Sequence, residues 1–288
     1  MRIVLQNENG SFEIGGGGHK RARLQTIEGV GMPAKEDNTI IFEGQAGQTI
    51  IGCRDLERVI TMSLDFYGDE REVEKLYRII YKPLNILFFL GNRRRRIKGR
   101  CKVATDISSI IYHKWQSVAL QFVCDNPYFS DFNDTVQAIS ANEDMWPNVN
   151  LDGEWFIEPG TIATQRSSKT SIYNYGDVEI YPVITLTNNK VSNLLSEETK
   201  ITLTNATTDK AITLEYQISP GETVTIDLES RSILSDINGN IVTCISDDTV
   251  LSDFYLATGK NDISIEADSA DNIFAIARYS NQYISVVI

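Results

Sequence analysis

Side-chain alternation constrains this chain more than any other feature. Ile60, Met62, Leu64 and Phe66 alternate with Thr61, Ser63 and Asp65, the period-two mark of a strand with one face in a core. From Trp155 onward the same pattern recurs in short runs. Leu203 sits between Thr202 and Thr204, and Ile212, Leu214 and Tyr216 follow. Val224, Ile226 and Leu228, then Ile263 and Ile265, then Phe274 and Ile276 continue it. Turn clusters punctuate the runs at Asn188-Asn189, Ser219-Pro220-Gly221, Asn238-Gly239 and Ala257-Thr258-Gly259. Short, regularly punctuated strands predict a mainly β chain whose second part is an antiparallel sandwich.

Helical spacing appears at about residues 70–81. Val73, Leu76, Tyr77 and Ile80 form one apolar face. Asp69 and Glu72 suit a capping box, Glu74 and Arg78 can pair one turn apart, and Lys82-Pro83 ends the segment. A hairpin follows. Leu84–Leu90 is an apolar strand, Gly91-Asn92 a turn, and Arg93–Val103 the return. Alternation places Arg94, Arg96, Lys98, Arg100 and Lys102 on one face, and Arg95, Ile97, Cys101 and Val103 on the other. Five cations on one face form either a docking surface for an acidic partner or a solvated edge that discourages stray pairing.

At 288 residues the chain is long enough for two domains. Residues 1–135 carry 19 Lys+Arg against 17 Asp+Glu, whereas residues 136–288 carry 8 against 22. Residues 130–150 are polar. The expected organisation is an N-terminal β domain with one helix at 1–135, a linker or lead-in at 136–154, and a C-terminal β-sandwich at 155–288. The acidic second part is a poor surface for nucleic acid. The longest apolar run, Ile86–Leu90, is too short to span a bilayer. Met1–Leu5 runs straight into Gln6-Asn7-Glu8-Asn9, so no signal peptide is read.

Little catalytic chemistry is legible. The four cysteines (Cys53, Cys101, Cys124, Cys244) form no C-x-x-C pair, and two histidines (His19, His113) cannot complete a zinc site. Buried reduced thiols are expected. Gly15–Gly18 lacks the Gly-Lys-Ser/Thr of a phosphate cradle. There is no Gly-x-Ser-x-Gly, and Asp131-Phe132-Asn133-Asp134 lacks the glycine and later glutamate of a calcium loop. Trp146 and Trp155 could offer an aromatic platform to sugar rings or serve as core or interface residues. No catalytic residue, metal or cofactor is assigned.

One constellation carries more. Gly91-Asn92-Arg93, Gly99, Trp115-Gln116 and the closing Gln121–Phe129 run, with Pro127-Tyr128-Phe129 at its end, resemble the distal tail protein (Dit) family of siphophages. Tyr175–Ile184, Leu228–Arg231 and Leu256–Ile263 resemble later segments of that family. The resemblance implies a split-barrel N-terminal domain with a helix and a protruding arm, then a galectin-like sandwich. It implies a virion tail-tip component made in the host cytoplasm, where six copies form a ring. Its implied partners are the tail tube protein, a tail-associated lysin or fibre protein, and receptor-binding proteins at the periphery. No enzyme activity, membrane or specific nucleic acid is implied. The basic face Arg94, Arg96, Lys98, Arg100 and Lys102 is then a candidate protein interface. The alternative is a carbohydrate-binding sandwich module that attaches a particle to the host cell wall.

Overall fold

The structure is a computed structural model describing residues 1–15, 22–44, 46–67, 70–105, 115–139, 168–188, 200–267 and 273–286. The chain divides into two compact units: Met1–Asn133 with Gln282–Ile288, and Asp134–Asn281.

The first unit contains β1 (Arg2–Asn7), β2 (Gly10–Gly15), β3 (Ala22–Glu28), β4 (Lys35–Ile40), β5 (Thr49–Asp55) and β6 (Arg58–Tyr67). Helix α1 (Glu70–Ile80) follows, then β7 (Leu84–Leu90), β8 (Arg93–Ala104), β9 (Trp115–Cys124) and β10 (Phe129–Asp131). Antiparallel pairing runs in the order β2-β1-β7-β8-β9-β6-β3. The end strands β2 and β3 lie against each other, so the sheet curls into a split barrel. Alternation in β6 turns Ile60, Met62, Leu64 and Phe66 inward, where Ile60 faces Phe122, Met62 faces Leu120 and Leu64 faces Val118 on β9. Ile3, Leu5, Ile86, Phe88 and Ile97 close the same core.

Helix α1 plugs this barrel. Val73, Leu76, Ile79 and Ile80 are buried in the core, as the 3.6-residue spacing requires. Glu74 and Arg78 pair at 2.6 Å on its exposed flank. Its last carbonyls lack intrahelical donors. Asn7 Nδ2 donates to Ile79 O at 2.7 Å, and Asn9 Nδ2 to Arg78 O at 3.1 Å. Asp69, the expected cap, lies outside the described residues.

The second unit holds β11 (Thr135–Ala138), β12 (Ser168–Asn174), β13 (Val183–Asn188), β14 (Lys200–Asn205) and β15 (Lys210–Glu215). It continues with β16 (Thr223–Asp227), β17 (Ser232–Ser235), β18 (Gly239–Asn240), β19 (Gly259–Ala267) and β20 (Ile273–Tyr279). Two antiparallel sheets form, β11-β20-β13-β16-β17-β18 and β12-β19-β14-β15. Ile184, Leu186, Val224, Ile226, Ala275 and Ala277 from one meet Ile172, Ile201, Leu203, Ile212, Leu214, Ile263 and Ile265 from the other in one core. This is the sandwich that the period-two runs predict.

Three expectations change. Residues 135–138 are a strand paired with β20, so the expected linker at 136–154 begins inside the second unit. The rest of that segment, from residue 140 to 154, lies outside the described residues. The C-terminal stretch does not belong to the sandwich. Gln282–Tyr283 (β21) pairs with β10, and Val286 is buried in the first core. A last strand is free to complete a distant sheet whose edge and core still lack partners, and alternation alone cannot say which sheet that is. Finally, Cys53 is exposed, Cys101 and Cys244 are half-buried, and Cys124 is buried. Cys53 lies on β5, whose residues are exposed along almost its whole length.

Candidate functional site

The basic strand β8 crosses the barrel. Arg93–Gly99 pair with β7, and Arg100–Ala104 pair with β9. A two-residue turn sets the register: Leu90 faces Arg93, and Gly91 takes φ +60°, a conformation that glycine adopts without strain. Arg94, Arg96, Lys98 and Arg100 share one face, with Arg94 opposite Phe89, Arg96 opposite Leu87 and Lys98 opposite Asn85. Lys102 does not follow strictly. A β-bulge between Cys101 and Val103 inserts it as an extra residue, which moves Val103 to the outer face, where it is exposed. A bulge resets the alternation by one, which period-two reading cannot see.

The five cations are unequal. Arg96 is half-buried and engaged. Arg100 Nη2 lies 3.5 Å from Asp125 Oδ1. Arg94, Lys98 and Lys102 are exposed and have no ion pair among the described residues. Beside them the outer face is apolar: Leu87 is buried, Phe89 lies 6.0 Å from Phe132, and the Arg2 guanidinium sits 4.8 Å over the Phe89 ring. Arg95, on the opposite face, is internal. It pairs with Asp131 at 3.1 Å and stacks 3.5 Å over the Tyr283 ring. Asp131 is thus committed to a salt bridge.

A second surface is the hairpin β4–β5, whose strands pair with each other in a sheet of their own. Ile41 is 74% exposed, Ile51 62%, and Met32, Ile40, Phe42 and Ile50 are exposed as well. A two-stranded hairpin is marginal in water by itself, and these apolar side chains are left facing outward.

The remaining motif residues build the barrel. Gly99 is buried, and a Cβ there would lie 2.8 Å from Cys124 Sγ and 3.2 Å from Val123 O. Burial pushes the Cys124 thiol up to about 12. Trp115 packs 5.3 Å from Tyr67 and lies under the Arg23 guanidinium at 4.3 Å, while Gln116 faces Phe66. Pro127, Tyr128 and Phe129 surround Arg58. Its Nε donates to Pro127 O at 2.5 Å, its Nη1 to Gly29 O and Gly31 O at 2.6 Å each, and its Nη2 to Ile284 O at 2.8 Å. The guanidinium lies 4.5 Å over the Phe129 ring. The Tyr128 hydroxyl donates to Asp55, and burial together with that carboxylate pushes it up to about 12. Sequence reading missed Arg58. A signal existed: Arg58 shares the parity of Ile60, Met62, Leu64 and Phe66, so it points into the core.

Residues 175–283 match the model of the siphovirus-type tail component, C-terminal domain. That stretch, which includes most of the second unit, is similar to the C-terminal domain of siphovirus-type tail components. The SPP1 Dit (gp 19.1) crystal structure, described as a paradigm of the hub adsorption apparatus in phages infecting Gram-positive bacteria, shares the fold. It has 14% identity and a TM-score of 0.62, and the match covers 90% of this chain and 92% of that one. A chain of the phage P2 baseplate in its activated conformation with Ca has 10% identity and a TM-score of 0.52, over 96% of this chain and 97% of that one. None of the curated proteins matches.

Two of the segments in the second unit that resemble this family contain turns fixed by buried asparagines. Asn174, just before Tyr175-Gly176, accepts from the Gly176 amide at 2.9 Å and donates to Val178 O at 2.8 Å. Asn261, at the end of Gly259-Lys260-Asn261, donates to Ala257 O at 2.7 Å and accepts from the Ala257 amide at 2.9 Å. Leu228–Arg231 is the connection from β16 to β17, where Asp227 Oδ1 accepts from the amides of Glu229 and Ser230 and Arg231 takes φ 54°. His19, His113, Trp146, Trp155 and Gly16–Gly18 lie outside the described residues. Among the described residues no three His, Cys, Asp or Glu side chains gather as metal ligands.

Proposed function

We propose that this tail component is a structural hub, six copies of which close into a ring at the distal end of the tail tube. The ring joins the tube to a tail-associated lysin or fibre protein, carries receptor-binding proteins at its periphery, and assembles in the host cytoplasm without catalysis or cofactor. The observation that carries this reading is hairpin β4–β5, which exposes Ile41, Phe42 and Ile51. A hairpin of this kind gains stability by seating its apolar side chains on another chain, and one such heterologous contact repeated around an axis closes a ring. The basic face of β8 is proposed as a second contact, for an acidic partner. Electron microscopy of tail particles tests the proposal. The expected result is six-fold ring density that this chain fits, lost when Ile41→Ser and Ile51→Ser are combined in a protein whose melt is unchanged. Tail tips without such density, or normal rings from the double variant, overturn it.

A further inference from the structure

The second unit presents two tyrosines on a rigid mount. Tyr173 lies in β12 and Tyr175 follows two residues later, with ring centroids 5.8 Å apart and planes within 15°. Tyr175 is 73% exposed and Tyr173 43%. The backbone beneath them is fixed at every step. The intervening Asn174 is buried and donates to Val178 O at 2.8 Å and Leu256 O at 3.2 Å. The Tyr175 amide donates to Asn281 Oδ1 at 3.0 Å, and the Tyr279 hydroxyl to Tyr173 O at 3.4 Å. Two flat rings held this firmly lose little freedom when something stacks on them.

A polar cluster borders the rings. In the register of β12 with β19, Tyr173 faces Lys260 and Ser171 faces Asp262. Side chains directly opposite each other on one sheet face are neighbours. Ser171 Oγ donates to Asp262 Oδ1 at 2.6 Å, and Lys260 Nζ reaches Asp262 Oδ1 at 2.9 Å and Oδ2 at 3.0 Å. The Lys260 and Asp262 side chains are half exposed. The carboxylate keeps lone pairs, and the ammonium keeps protons, that face solvent.

We propose that Tyr173 and Tyr175, with Ser171, Lys260 and Asp262, form a platform that binds a neutral pyranoside. The apolar C–H face of the sugar stacks on the rings, and its hydroxyls bridge to Asp262 and Lys260. A few fixed polar groups beside an apolar surface orient a ligand of this mixed character. The cluster is internally neutralised, and residues 136–288 carry 8 Lys+Arg against 22 Asp+Glu. A polyanionic glycan is therefore repelled, and an uncharged one is not.

Saturation-transfer NMR on the full chain tests this with three probes at millimolar concentration: methyl β-D-glucopyranoside, methyl β-D-galactopyranoside and methyl N-acetyl-β-D-glucosaminide. The expected result is transfer to ring C–H protons of at least one probe, lost in Tyr173→Ala with Tyr175→Ala and retained in Tyr175→Phe, which keeps the ring. Asp262→Asn weakens binding without moving the melt. No transfer from any probe overturns the proposal, and so does transfer that survives the double alanine variant. Tight capture of a tail protein on the tyrosine pair, abolished by the same variants and unaffected by all three sugars, would likewise overturn it in favour of a protein contact.

Discussion

Arg58 donates from Nη2 to the carbonyl of Ile284 at 2.8 Å, 226 residues away along the chain. The same guanidinium holds the carbonyls of Gly29, Gly31 and Pro127. One planar, permanently charged fork therefore ties its own strand to three other chain segments, and the C-terminal stretch becomes part of the barrel that the N-terminus begins. Burial lowers the Arg58 pKa, with Cys124, Asp55 and Tyr128 opposing that shift.

Arg58→Ala leaves four carbonyls without this donor in or near a core. The expected loss is about 3–5 kcal/mol, read by urea denaturation, because an unmet buried acceptor costs about 1–3 kcal/mol. Arg58→Lys recovers little, since an ammonium cannot span the fork. A chain ending at Asn281 loses stability for the same reason, and loses Val286 from the core besides. A truncated chain as stable as the full one would contradict this account.

Gly99→Ala places a methyl group 2.8 Å from Cys124 Sγ and 3.2 Å from a backbone carbonyl. Overpacking of this kind costs about 1–3 kcal/mol. Cys124→Ala in the same chain removes the nearer obstacle and recovers part of that loss. A double-mutant cycle by chemical denaturation measures the coupling.

Glu222 sets an acid limit for the sandwich. It is buried between β15 and β17, and burial pushes its carboxyl up. Hydrogen bonds from Ser235, the Tyr216 hydroxyl at 2.5 Å and the Ser219 amide at 2.7 Å outweigh that and leave it below 4.5. A carboxyl whose folded pKa is depressed contributes stability above its unfolded value and loses that contribution as pH falls through the folded one. Glu222→Gln is therefore expected to cost about 1–3 kcal/mol at neutral pH. The gap to the parent protein narrows below about pH 4.5. Thermal melts across pH 3–7 show this as converging curves; parallel curves would exclude the mechanism.

Arg94 and Lys98 are the cations of β8 best suited to a charge-reversal test, since Arg96 and Arg100 have partners within the unit. Arg94→Glu with Lys98→Glu changes fold stability by only about half a kcal/mol, as exposed substitutions do. Against an acidic partner the same reversal costs several kcal/mol. The expected outcome is an unchanged circular-dichroism melt with failed tail assembly. Infectious particles of normal number would instead mark this face as a solvated edge.

The sequence by itself determined what depends on neighbours along the chain. Parity sorts Ile60, Met62, Leu64 and Phe66 into a core, helical spacing places Val73, Leu76 and Ile80 on one face, and Gly91-Asn92 fixes the β7–β8 register. The Gly99 and Pro127-Tyr128-Phe129 motif was legible as a family resemblance, although its physical role in packing against Cys124 and holding Arg58 was not. The tertiary structure alone decided everything that depends on long loop closures. It sent Gln282–Val286 back to the first barrel, left Cys53 exposed on hairpin β4–β5, and brought Lys260 and Asp262 beside Tyr173 and Ser171. Pairings of this kind are chosen by the free edges and unmet carbonyls of a folded partner segment, and none of those exists until the segment has folded. The bulge at Lys102 belongs with them: one extra residue shifts Val103 to the outer face, and nothing in the local alternation announces it.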